Sequence, residues 1–346
     1  MTALELAPDA LDDPTQAAGL LISRDPFIAW GPNQPAWRAG PGSSLARHVG
    51  NRRAYFLFSI SSTREWIGAI DGDAAAIEAL RREYPEHRHV MLCNTRREVE
   101  LAAERGIDAI LCSTLALANE TIFDIQPREM KRFDAIYTAT LSRIKRHELC
   151  RDLTSLALIY HWYFDGMTTQ EEIEAAYKSM LPRATFVNGF RHSYRLLDSR
   201  GVTKWVNRAH VGLCLSAAEG AMGAAIEYLL CGVPVVTTPS IGGRDRVFTA
   251  ENSMTVEPTP EAVADAVRTL ALRNVDPYRL RNEAGAALKP DRVRLLRLIA
   301  AIYEKENVPF PDQADWLQLF RHSPWPQKTV GRFLSETPIA ERSAVR

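Results

Sequence analysis

Residues 216–236 read SAAEGAMGAAIEYLLCGVPVV. A small-residue run leads to an acid, Glu219. Gly220-Ala221-Met222-Gly223 follows, then an apolar stretch that carries a second acid, Glu227, and closes on Cys231-Gly-Val-Pro. The apolar spacing predicts a helix that begins near Gly220. VGLCLS (211–216) before it and VPVVTT (233–238) after it read as strands, so the segment is a β-α-β unit of a parallel sheet. The start of such a helix lies at the carboxyl end of a buried strand, where ligands collect in open α/β sheets. Its first amides lack intrahelical partners and, with the helix dipole, suit a phosphate. Gly220, Ala221 and Gly223 keep bulk away from that approach. Glu219 and Glu227 stand 227 − 219 = 8 positions apart, about 12 Å along a helix axis. A nucleoside diphosphate sugar has hydroxyls at both ends and phosphates between them, so two carboxylates at that separation can hold the ends while the helix start holds the middle. Taken singly, the same residues read as a helix-start charge, an exposed helix acid and packing glycines. An unpaired acid on so apolar a helix is costly if buried, and Glu227 therefore requires a partner.

The alternation extends outward. AYFLFSI (54–60), HVMLCN (89–94) and DAILCS (108–113) predict strands; DAAAIEALRREY (73–84) and REVELAAERG (97–106) predict helices, with Asp73 as an N-cap and Gly106 as a stop. The first 50 residues, rich in proline and glycine, predict irregular structure with at most an edge strand at PFIAW (26–30). After a break at FDIQPREMKRFD (123–134), AIYTATL (135–141) opens a second series. It comprises a helix from about Arg146, the apolar LALIYHWYF (156–164), the helix TQEEIEAAYKSM (169–180) and the strand-and-turn ATFVNGF (184–190). The opening segment with its flanking strands follows, then helices TPEAVADAVRTLAL (259–272) and DRVRLLRLIAAIYEKE (291–306). The fold class is α/β, with two doubly wound Rossmann-like domains at 1–134 and 135–305. A tail at 306–346 holds FPDQADWLQLFRHSPWPQ (310–327), which predicts a helix that packs back on the first domain.

Composition bounds the function. A chain of 346 residues is too long for one core and suits two domains. Lysine plus arginine and aspartate plus glutamate both number 42, which leaves no electrostatic footprint for nucleic acid. No apolar run reaches the roughly 18 residues of a membrane span. The acidic start MTALELAPDALDDPTQ lacks the basic and apolar parts of a signal peptide. Five cysteines without a CxxC pair, three of them in apolar strand-like runs, predict a reduced, cytoplasmic setting.

Glu219-x7-Glu227 followed by CGVPVV resembles the donor-binding signature of GT-B fold glycosyltransferases, in particular the retaining family 4 (group 1) enzymes. Their pattern runs acid, glycine, two small positions, then EA(M/L)A.G.PVV.T; this chain has EGAMGAAIEYLLCGVPVVTT. The resemblance is close over residues 219–238 and extends to the order of elements in the second domain. In the first domain it rests on the alternation and on STLALANETIF (113–123).

The resemblance implies two domains facing a cleft and a metal-independent, cofactor-free hexosyl transfer, with retention, from a UDP- or GDP-linked sugar. It implies Glu219 and Lys145 as catalytic residues, Glu219 on donor-sugar hydroxyls and Lys145 on the diphosphate, with Glu227 on the ribose diol. Main-chain groups of Gly220, Ala221, Met222 and Gly223 would meet phosphate or sugar. A Gly-Arg usually precedes the lysine; Thr138-Ala139-Thr140 stands there, which leaves Arg143 or Arg146 to substitute. FVNGF matches the strand-and-turn at the nucleobase and gives Asn188, Gly189 and Phe190. In SIGGRDRVF (240–248), Gly242 and Gly243 would let the loop approach the donor or acceptor, and Arg244 would meet phosphate. As ordinary chain, RIKRH (143–147) is a solvated basic turn and SIGGRD a surface turn.

Front-face attack, in which the departing phosphate oxygen takes the acceptor's proton, needs no nucleophile–base pair. The sequence has no GxSxG, HExxH or Cys/His metal spacing. Asp71-Gly-Asp73 looks like a metal-binding Asp-x-Asp, but a helix cap is the simpler reading of Asp73. His147 and His192 lie near the proposed donor loops and His161 in a core or rim; none carries a catalytic role. The acceptor falls to the first domain, where Gly40-Pro-Gly-Ser-Ser44 stands in for a glycine-rich loop. A glycan, a lipid-linked sugar, a protein or a small molecule fits equally. Two alternatives stay open. One is a non-catalytic GT-B-like binding or partner subunit, favoured by the short first domain and the missing Gly-Arg. The other is a nucleotide-sugar epimerase, which needs further acid/base residues.

Overall fold

A computed structural model describes residues 12–32, 37–162, 169–190, 193–273, 275–322 and 326–343. His192 and the side chain of Phe190 lie outside the described residues. The chain forms two compact units, residues 1–117 with 289–346, and residues 118–288. The sequence pattern placed its divisions at 134/135 and 305/306. Residues 118–134 join the second unit through polar contacts that no periodicity announces. Gln126 N–H donates to Asn207 Oδ1 (2.8 Å), Arg208 Nε to Glu129 (2.7 Å) and Lys131 Nζ to the carbonyl of Ala209 (2.6 Å).

In the first unit, strands β1 (Leu20–Arg24), β2 (Phe27–Pro32) and β3 (Ala54–Ser59) are followed by helix α1 (Ala69–Glu83), β4 (His87–Cys93), α2 (Arg96–Glu104) and β5 (Asp108–Leu111). The five strands lie side by side in chain order, β1 and β2 antiparallel and the rest parallel. PFIAW is therefore not an edge strand, and residues 16–32 are mostly strand rather than irregular. Ile28, Ala29 and Trp30 are buried between two neighbours, while Pro26 and Pro32 fall at the strand ends, where a missing N–H does least harm. One sheet face buries Phe58, Met91 and Cys93 against Ile70, Ile77 and Ala102 of α1 and α2. The other buries Ile28, Trp30, Leu57 and Leu92 under Leu295, Ile299, Ile302 and Phe320 from the end of the chain. Each such side chain contributes about 1.5–3 kcal/mol.

Asp73 is not a cap. Helix α1 opens after Gly68, and Asp73 sits inside it, fully buried, with its carboxylate bound to Arg64 Nε at 2.5 Å. Asp71 pairs with Arg105 (2.8 Å), so both acids of the Asp-x-Asp are occupied by guanidinium groups. Helix α2 does start at a reciprocal cap, Thr95 with Glu98. All five cysteines are free and buried.

The second unit runs β6 (Phe133–Leu141), β7 (Leu156–Trp162), α3 (Gln170–Met180), β8 (Ala184–Phe186), α4 (Ser199–Asn207), β9 (Ala209–Cys214), α5 (Gly223–Leu230), β10 (Val235–Thr237), β11 (Ser253–Thr255), α6 (Pro260–Leu272) and the first part of α7 (Pro277–Lys305), whose residues from Lys289 belong to the first unit. Its strands are parallel in the order β11-β10-β9-β6-β7-β8. Strand order reverses between β6 and β9, the switch point at which open α/β sheets bind ligands.

Three helix readings change. The expected helix from Arg146 is two 3₁₀ turns, Arg143–Lys145 and His147–Cys150, broken by Arg146 at φ 50°. The guanidinium of Arg146 reaches across to Leu215 O (2.5 Å), Thr238 Oγ1 (2.8 Å) and Pro239 O (3.0 Å), contacts that compensate the strained backbone. Helix α4, capped by Asp198 on the N–H of Gly201, was not anticipated, because Val202 and Val206 make too short a stripe to read. The last long helix, expected over 291–306, starts at Pro277 and contains Pro290. Where a helix was expected over 310–327, the described residues of the tail form one turn, Gln318–Arg321. It then adds a strand, Gln327–Thr329, beside Gln16–Ala18, and a short helix, Val330–Ser335.

Candidate functional site

The ladder between β6 and β9 runs as far as Gly212 opposite Ile136. Past that point the N–H of Thr138 donates instead to the hydroxyl of Tyr228, at 2.7 Å. A side chain of α5 thus satisfies a backbone donor that strand pairing has released, and the two strands part. Gly212 makes this possible: a Cβ there would lie 2.3 Å from the Tyr228 ring.

At this switch point the second unit holds a cavity of about 350 Å³, within the range of small-ligand sites. Thr138, Ala139 and Thr140 of β6, Ile159 and His161 of β7, and Asn188 form one wall. Leu197, Ser199 and Val202 at the start of α4 form another, with Phe123. Lys145, Glu219, Ala221, Met222, Gly223, Ala224 and Glu227 complete it. Lys145, Glu219 and Glu227, separated by up to 82 positions in the chain (227 − 145 = 82), line one space.

Helix α5 starts at Gly223, not Gly220, after an extended Met222 that offers no side-chain cap. Residues Ala218–Glu219 are held instead as a short strand beside Ile241–Gly242, and Gly243 N–H donates to Gly220 O at 2.8 Å. Gly242 sits at φ 102°, a region that favours glycine. The eight positions from Glu219 to Glu227 therefore cross a strand, a turn and barely more than one helical turn, and the expected rise along one helix axis does not apply. The uncapped amides at the start of α5 do open into the cavity, as a phosphate site needs.

Lys145 forms an ion pair with Glu219, side chains 16% and 10% exposed. Glu227 has no ion pair or side-chain hydrogen bond among the described residues. Burial pushes its carboxyl up to about 7. The partner that Glu227 needs is not among the described residues. The cavity is where it would come from.

Other expected residues have different work. Arg244 is fully buried, and its guanidinium donates to the carbonyls of Cys214 (2.9 Å), Ser216 (2.9 Å) and Thr238 and to Asp245 (2.6 Å). Arg146 is bound in the same way to Leu215, Thr238 and Pro239. Both brace the strand ends, Arg244 through all three guanidinium nitrogens and Arg146 through Nε and Nη2. Arg143 is exposed and makes no hydrogen bond or ion pair among the described residues. Asn188 is buried, accepting from Tyr160 N–H (2.8 Å) and donating to Arg195 O (3.0 Å), so it shapes the wall with its amide already satisfied. Gly189 opens a two-residue strand, Gly189–Phe190, paired with Ser193–Tyr194. His147 is a core residue between Tyr137 and Tyr177 (ring centroids 5.0 and 4.9 Å), pushed down to about 3 by burial. His161 stands on the exposed rim, 3.2 Å from the Tyr194 hydroxyl. In the first unit, Pro41, Gly42 and Ser44 are buried in a helical turn rather than an open loop, since Gly42 packs on His89.

Residues 157–273 match the family model described as glycosyl transferases group 1. Solved structures share the architecture at low identity. Sucrose-phosphate synthase from Thermosynechococcus elongatus is 15% identical, with 80% of this chain and 74% of that one covered at a TM-score of 0.53. An α,α-trehalose-phosphate synthase (UDP-forming) from Burkholderia xenovorans, in complex with glucose-6-phosphate, is 12% identical, with 82% and 75% covered at 0.56. Anabaena HepE, in complex with UDP, is 14% identical, with 75% and 74% covered at 0.51. No curated protein matches the sequence. The chain has the GT-B fold, and its residues 157–273 are similar to group 1 glycosyltransferases. In this GT-B chain the matched span runs from β7 through α6 and contains Glu219, Glu227 and the start of α5. Lys145 precedes it, and the fold alone brings that lysine to the acids. Among the described residues no helix is long and apolar enough to cross a membrane.

Proposed function

We propose that this chain transfers a hexose, with retention, from a UDP- or GDP-linked sugar to an acceptor hydroxyl, without a metal. The observation that supports the reading is one cavity in which a lysine, two carboxylates and an uncapped helix start surround the switch point of a parallel sheet. The diphosphate would lie against the first amides of α5 and the ammonium of Lys145, which together balance its charge. Glu227 would accept from the ribose diol, the two donors that its carboxylate lacks. Glu219 would accept from hydroxyls of the sugar.

In the transfer, the acceptor oxygen forms a bond to the anomeric carbon on the face that the phosphate is leaving. The carbon–oxygen bond to the phosphate breaks with its electron pair on the phosphate oxygen, and that oxygen takes the acceptor's proton. Protein groups need only position both substrates and stabilise the departing charge, which is the task of Lys145 and the α5 amides. The acceptor is assigned to the first unit.

A thermal-shift screen of UDP, GDP and ADP compounds names the donor, since ligands that bind the folded chain raise its melting temperature. Proton NMR of the product then reads the anomeric configuration. The proposal expects a melting shift with one nucleotide series and an α-linked product from an α-linked donor. Donor binding with neither transfer nor hydrolysis would favour the second reading, a binding subunit, which the engagement of Arg146 in structural bracing supports.

A further inference from the structure

The two groups proposed to meet the donor's phosphate and its sugar separately, Lys145 and Glu219, are bound to each other. We infer that this ion pair is a latch: a diphosphate takes Lys145 away from Glu219, and the freed carboxylate is accommodated only when donor-sugar hydroxyls are there to donate to it. The inference rests on the donor reading given above.

Both side chains are largely withdrawn from water, so neither charge is well hydrated alone, and each depends on the other. The guanidinium groups of Arg146 and Arg244 are engaged elsewhere, Arg146 on two backbone carbonyls and the Thr238 hydroxyl, Arg244 on backbone carbonyls and Asp245. The cavity wall already carries Glu227, of the same sign and without a partner. A free nucleoside diphosphate that captures Lys145 therefore strands one carboxylate beside another and beside its own negative phosphates. A nucleotide sugar makes the same capture and supplies hydroxyl donors to Glu219. Sugar and phosphate recognition are coupled through one salt bridge, and the chain discriminates against its own nucleotide product. After transfer the sugar has gone, Glu219 returns to Lys145, and the nucleoside diphosphate loses its cation, which speeds release.

Calorimetric titration of the wild type and of Glu219→Gln with UDP and UDP-glucose, and with GDP and GDP-mannose, tests the latch. In the wild type the sugar-bearing nucleotide should bind about tenfold more tightly than the free diphosphate, the scale of one partly desolvated charge contact. Glu219→Gln frees Lys145, so the free diphosphate should bind several-fold more tightly than it does to the wild type, and the gap between the two ligands should close. That gain is specific to a latch, since loss of a sugar contact alone would leave the free diphosphate unaffected. Equal wild-type affinity for sugar-bearing and free nucleotide would overturn the inference, and so would a Glu219→Gln variant that binds free diphosphate no better. The wild-type comparison stands by itself if the variant fails to fold. If the wild type binds none of the four ligands, the donor reading falls first.

Discussion

Glu227 carries a prediction in its protonation. Its carboxyl is held at about 7 by burial, against an ordinary 4.5. A folded-state value above the unfolded one means that the neutral form is favoured by folding. Its contribution is complete below the unfolded value and is lost as pH rises through about 7. Glu227→Gln, neutral at every pH, should therefore melt with the wild type at about pH 4 and a few degrees above it at about pH 8, by calorimetry. Binding pulls the other way. A diol donates best to the ionised carboxylate, so donor affinity should rise with pH between 6 and 8 and proton uptake by the buffer should accompany binding near neutral pH. In the Gln variant that pH dependence should be flat. The arginines separate by the same residue-level logic. Arg244→Met removes a donor from each of three buried carbonyls and should cost about 3 kcal/mol or more in urea unfolding. Arg143→Ala, on an exposed side chain, should leave stability within about 0.5 kcal/mol. Glu227 was legible in the sequence because a lone acid on an apolar helix demands a reason. Arg244 was not: its partners are main-chain carbonyls of Cys214, Ser216 and Thr238, and sequence carries no mark of where a carbonyl points.

At the scale of elements, the fit of α5 against β9 and β6 decides the site. Tyr228 lies over Gly212 and gives its hydroxyl to the N–H of Thr138. Gly212→Ala puts a methyl group into that ring and should cost about 1–3 kcal/mol by overpacking. Tyr228→Phe keeps the packing but leaves a buried N–H unpaired and should cost about 1–3 kcal/mol. Both are read by denaturant unfolding, and in both the donor cavity should lose affinity along with stability. The helix and its flanking strands were readable from periodicity and from the Gly-Val-Pro stop. Its first residue was not, because Ala218–Glu219 takes a strand partner twenty-odd positions away, at Ile241–Gly242. Long-range pairing overrode a local pattern. The helix expected at Arg146 failed for a related reason, since the side chain of Arg146 bonds across the sheet and holds its own backbone out of the helical region.

At the scale of the whole molecule, alternation of strand and helix was enough to foresee two α/β units, and the second was also marked by its motif. What periodicity could not foresee is how the chain is shared between units. Residues 118–134 join the second unit by hydrogen bonds, and the chain from Lys289 onward covers a face of the first sheet. Removal of residues 306–346 would uncover Ile22, Trp30 and their neighbours, which pack on Leu319, Phe320 and Ile339. Such a truncation should bind a hydrophobic dye and aggregate, whereas the full chain should not. The most direct test of the donor assignment is calorimetric titration of the full chain with the nucleotide sugar that raises its melting temperature, beside Lys145→Ala and Glu227→Ala. Binding in the wild type that falls at least tenfold in both variants, with each still folded by circular dichroism, is the expected result. Binding of equal strength in all three would place the nucleotide elsewhere and contradict the assignment of this cavity.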